Sequence, residues 1–135
     1  MTARQFNVTV PLGAGPRVIE AEAVWIGADL LVWIWGGDRP HIGAVAAAQP
    51  RPSIADASRR SATASVLAYL GHKEDAVAKS AAERLSAALD TKVVVTAGIH
   101  WDDLASADIG LVVEACHAIV GSLLEALNFD REFPS

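Results

Sequence analysis

Three of the four histidines, His41, His72 and His100, fall where an apolar, strand-like run starts or stops. Each is embedded in charge: Gly36-Gly37-Asp38-Arg39 shortly before His41, then Gly71-His72-Lys73-Glu74-Asp75, then Gly98-Ile99-His100-Trp101-Asp102-Asp103. An imidazole donates or accepts a hydrogen bond, carries charge near neutral pH, or ligates a divalent ion. Mixed with carboxylates it suits Zn²⁺, Mn²⁺ or Fe²⁺, so His72, Glu74 and His100 are the candidate metal set. Glu74 adds a constraint, because on a helical wheel it falls about 20° from Leu85, inside an apolar face. A carboxylate so placed needs a partner, and a metal, a histidine or Lys73 would serve. Asp102 and Asp103 read either as ligand contacts or as acids favoured at a helix start. Other candidates are weaker. Cys116 lies within an apolar stripe, His117 borders it, and no serine or cysteine sits in a nucleophile-elbow pattern. Gly13-Ala14-Gly15-Pro16 lacks the lysine and helix of a phosphate loop, and Arg59-Arg60 reads as a solvated pair.

The elements that position these residues are legible from patterning. Arg17 to Ile26 and Asp29 to Trp35, split by Gly27-Ala28, predict two antiparallel strands joined by a tight turn. His41 to Ala48 predicts a third strand, residues 49–62 an exposed loop, and Ala64 to Leu70 a fourth strand. From Lys73 to Asp90, Val77, Ala78, Ala81, Ala82, Leu85, Ala88 and Leu89 share one helical face. Lys92 to Ala97 carries Val93-Val94-Val95, suited to a central strand, and Ser106 to Leu127 is a second amphipathic helix. The order predicts a two-layer α+β fold, a mixed, mostly antiparallel sheet with two helices packed on one face.

That order constrains the histidines. Strands 64–70 and 92–97 are joined through a helix and should run parallel, with strand 41–48 antiparallel to them. His41, His72 and His100 then project from one edge, where both helices begin. Helix starts present unpaired N–H groups and partial positive charge, which suit an anion such as phosphate. Trp33 and Trp35 share one strand face, with Trp25 on a neighbouring strand. This aromatic patch reads as core packing or a subunit interface, and a homodimer is expected.

Composition narrows the function classes. The chain has 135 residues, 52% hydrophobic and 20% charged, which fits one folded domain over residues 1–135 and excludes disorder. A net charge of −5 gives no general attraction for nucleic acid or anionic membrane. Met1 to Val10 lacks the basic start and apolar core of an export signal, and no uninterrupted apolar run reaches the ~18 residues of a membrane span. A single cysteine excludes an internal disulfide, so a cytoplasmic protein is expected.

His41-Ile42-Gly43-Ala44-Val45-Ala46, Gly71-His72-Lys73-Glu74-Asp75 and Gly98-Ile99-His100-Trp101-Asp102, in that order and spacing, resemble segments of the LpdD-like prenylated-flavin chaperones. These are accessory proteins of UbiD-type reversible decarboxylases. The resemblance runs from about Trp35 to Leu127. It implies a non-catalytic protein that binds prenylated FMN, in its reduced form, and passes it to the apo-decarboxylase. It also implies His41, Gly71, His72, Lys73, Glu74, His100 and Asp102 as cofactor contacts. A flavin phosphate would suit the helix start beside Lys73, and the ring an indole such as Trp101, Trp33 or Trp35. A metal held by histidines would bridge protein and phosphate. Two other readings stand beside this one: a small metal-dependent hydrolase or lyase using His72, His100 and Glu74, and a structural subunit of a decarboxylase complex.

Overall fold

A computed structural model describes residues 4–69 and 74–133. Its elements are β1 (Gln5–Pro11), β2 (Val18–Ile26), β3 (Asp29–Gly37), β4 (Ala44–Pro52), β5 (Arg60–Ala68), α1 (Asp75–Leu89), β6 (Val93–His100), a 3-10 turn (Ser106–Asp108) and α2 (Ile109–Glu132). The strands form one sheet in the order β1-β2-β3-β6-β4-β5. Among the described strands β3 and β6 are parallel neighbours, and the other pairs are antiparallel. The expected two-layer α+β architecture is what the chain adopts.

The helices lie on one face for a compositional reason. Alternation along the strands sends Ile19, Ala21 and Ala23 of β2, Val32 and Ile34 of β3, and Val95 and Ala97 of β6 to the same side, all essentially buried. Ala44, Ala46 and Ala48 of β4 meet Ala78, Ala81 and Ala82 of α1 there, small residues that let helix and sheet approach closely. α2 sets its Ile119, Leu123 and Leu127 stripe against β1, β2 and α1. Arg60 and Arg131 donate to the last carbonyls of α1, at Ala87 (2.5 Å) and Leu89 (2.8 Å), where the helix leaves orphan acceptors. Ser106–Glu132 is long and apolar enough, by length and composition, to cross a membrane, although no uninterrupted apolar run signals it.

Several expectations need correction. β1 was not foreseen, although Phe6, Val8 and Val10 alternate with Gln5, Asn7 and Thr9 as a half-buried edge strand should. The expected loop 49–62 is mostly a hairpin, with β4 running to Pro52 and β5 starting at Arg60. Its prolines are tolerated because β4 pairs with β6 only as far as Ala48, so Pro50 and Pro52 face no ladder on that side. Trp25 is not part of the Trp33–Trp35 patch. It pairs with Leu30 and turns to the helix face, where the Arg131 guanidinium lies 5.4 Å from its ring centroid.

Candidate functional site

The rim at the C-terminal end of β6 is assembled by one connection. β3 and β4 flank β6, so residues 38–43 must cross over its end to pass from one to the other. The crossing is pinned by Asp38 N–H donating to the His100 carbonyl (2.7 Å) and Gly43 N–H donating to the Ala97 carbonyl (2.9 Å). Gly98 makes it possible, because any Cβ there would collide with the His41 carbonyl group. Gly37, at φ +93°, turns the chain into the crossing.

Two polar clusters result. In the first, His41 Nδ1 donates to the Arg39 carbonyl (2.9 Å) and Nε2 faces Glu74 Oε1 at 3.0 Å. The Ile99 amide also reaches Glu74 Oε1, at 3.4 Å. Glu74 therefore extends from the start of α1 to the end of β6, and its carboxylate packs over Gly43. Its Oε2 is buried and has no hydrogen-bond partner among the described residues. In the second cluster, Asp102 Oδ1 lies 3.0 Å from the Arg39 guanidinium and 3.2 Å from His100 Nε2. The Asp102 amide donates to Asp38 Oδ2 at 3.1 Å. This cluster is solvent-exposed and the first is largely buried.

The structure thus brings His41, Glu74, His100 and Asp102 to one rim, joined through the short Asp38–His41 strap. Gly71, His72 and Lys73 lie outside the described residues. Of the candidate metal set, Glu74 faces His41 and His100 faces Asp102, and His72 lies outside the described residues. Among the described residues no group of three His, Cys, Asp or Glu side chains could hold a metal ion. Strand placement also needs adjusting, since His41 precedes β4 instead of opening it. Cys116 is buried and its thiol is pushed up to about 11, which leaves it unsuited to nucleophilic work.

The contacts of two neighbours of the rim are not legible in the sequence. Arg39 and Asp38 tie the strap to Asp102, and only the turn composition Gly36-Gly37-Asp38-Arg39 hinted at them. Beside them an open groove of about 310 Å³ is lined by Arg17, Trp35, Asp38 and Trp101, among others. The Arg17 guanidinium stands 5.7 Å from the Trp101 ring centroid and 3.4 Å from Asp108.

A polar rim and a groove walled by Trp35 and Trp101 thus sit together on a small α+β scaffold. The chain belongs to the prenylated flavin chaperone LpdD-like domain family, which matches residues 13–128. Membership supports a chaperone role. No curated protein matches the chain. Among solved structures, the chain resembles one from yeast described as a novel chaperone complex for 20S proteasome assembly. The two share 15% identity at a TM-score of 0.59, over 96% of this chain and 98% of that one. At that identity the likeness concerns the fold.

Proposed function

We propose that this protein binds prenylated FMN in its reduced form at the β6 rim and delivers it to a UbiD-type decarboxylase. In this reading it works in the cytoplasm as a homodimer and is a carrier, not a catalyst. The observation that carries the reading is Glu74, a carboxylate held at the rim by His41 with one buried oxygen lacking a hydrogen-bond donor among the described residues. A buried acceptor of this kind is costly alone, and the N–H groups of a reduced flavin ring are donors that would satisfy it. The groove with Trp35 and Trp101 supplies a flat apolar wall for a ring. The phosphate is assigned to the start of α1, with Gly71, His72 and Lys73 as the sequence-based contacts. His100 and Asp102, with Arg39, complete the polar margin.

Anaerobic titration with reduced prenylated FMN tests this directly. Saturable binding near one cofactor per chain, weaker for unmodified FMN, is expected. Absence of binding contradicts the proposal.

A further inference from the structure

We propose that the helix-free face of the sheet is where a second copy of this chain packs, sheet against sheet. The inference rests on the homodimer in the reading above and assigns its interface. Strand alternation sends Leu31, Trp33 and Trp35 of β3 to that face, together with Val94, Val45 and Leu67. The register aligns them into a continuous row: Trp33 beside Thr96, Thr96 beside Val45, and Val45 beside Leu67, which is 58% exposed. Among the described residues both helices pack against the opposite face.

The edges of the patch are polar. On one margin Glu22 accepts hydrogen bonds from Gln5 and Asn7, both 2.9 Å, with Glu20 alongside; on the other lie Thr63 and Arg51, themselves bonded at 2.6 Å. An apolar centre inside a polar margin is the layout of a protein–protein interface.

Area points to a second copy. The chain exposes 7880 Å². A folded monomer of 14.1 kDa is expected to expose about 6,700 Å². The excess, roughly 1,100 Å² over the whole chain, leaves room for a standard interface of ~800 Å² per side on its broad uncovered face. An identical sheet has the same size and twist, and two such faces stack about 10 Å apart with strands near −30°. Glu20, Glu22 and the net charge of −5 disfavour an anionic lipid surface as the occupant.

Sedimentation velocity from about 1 to 100 μM decides it, a span that brackets micromolar association. The wild-type chain is expected at twice its monomer mass. Ala47→Arg and Leu67→Arg replace exposed side chains of the open face, so each isolated chain should keep its far-UV circular dichroism. Dimerisation should nevertheless weaken by at least about 100-fold, because paired interfaces would bury unpartnered charge. Phe129→Arg, on the outer side of α2, should leave the dimer intact. A wild-type monomer throughout, including one that associates only with a decarboxylase, overturns both the homodimer and this interface. Dimers that persist in both open-face variants, or fail only in Phe129→Arg, overturn the interface alone. The flavin titration reads the cargo assignment separately.

Discussion

His41 and Glu74, 33 positions apart in sequence, meet with Nε2 and Oε1 3.0 Å apart, and their contact locks the β3–β4 crossing to the start of α1. The imidazole is held on its other side by the Arg39 carbonyl, which only accepts. One ring thereby fixes the orientation of the Glu74 carboxylate and leaves its second oxygen buried over Gly43, without a hydrogen-bond partner among the described residues. This pair is both a structural fastener and the proposed cofactor contact, so its variants should separate the two roles.

Glu74→Gln keeps the size of the side chain but replaces a charged acceptor with an amide. Affinity for reduced prenylated FMN should fall about 10- to 100-fold, the worth of a hydrogen bond to a charged group. Chemical denaturation should show a smaller change than in His41→Ala. The latter leaves a buried carboxylate without its imidazole and should cost about 1–3 kcal/mol. A double-mutant cycle would show strong coupling between the two positions.

Gly98→Ala places a methyl group against the His41 carbonyl group. The strap cannot move without losing its bonds to Ala97 and His100. A stability loss of about 1–3 kcal/mol is expected, with weakened flavin binding because His41 is displaced. Equilibrium unfolding and the anaerobic titration measure the two effects on the same sample.

Trp35 and Trp101 line one groove but differ in burial, Trp101 being only 9% exposed. Trp35→Ala should therefore reduce flavin affinity with a minor change in monomer stability. Trp101→Ala should destabilise the fold itself by about 3–5 kcal/mol, as for a core aromatic. Melting curves alongside flavin titrations distinguish them.

Burial pushes the Cys116 thiol up to about 11 from an ordinary value of 9.0. Through that interval the folded chain keeps a proton that the unfolded chain releases. Stability from this group is therefore intact below pH 9 and declines as pH rises toward 11, by up to ~3 kcal/mol. Cys116→Ala should lose some stability at pH 8 to its cavity but show a flatter decline. Urea unfolding at pH 8 and pH 10 compares the slopes.

Much of this was legible in the residues, for identifiable reasons. A helix linking strands 64–70 and 92–97 makes them parallel, and a helix-free loop makes strand 41–48 antiparallel to them; together these directions put His41 and His100 on one rim. Glu74 announced its inward position by falling on the apolar face of α1, and a histidine is indeed its partner. The partner's identity was not legible, because a crossing over β6 requires knowing that β6 inserts between β3 and β4. That strand order is set by long-range pairing, not by local pattern. The β4–β5 hairpin was hidden by Pro50 and Pro52, which normally interrupt strands and here are harmless at an unpaired edge. Trp25 was misgrouped because Trp33 and Trp35 lie on the opposite face, a distinction fixed by the Trp25–Leu30 register.

The most direct measurement is cofactor transfer. The protein would be loaded anaerobically with reduced prenylated FMN, freed of excess cofactor, and mixed with an apo UbiD-type decarboxylase, whose activity is then followed. Wild-type protein should activate the apoenzyme in proportion to the cofactor carried, and Glu74→Gln should carry little and activate correspondingly less. Equal activation by the two proteins, or none by a fully loaded wild type, would contradict the account.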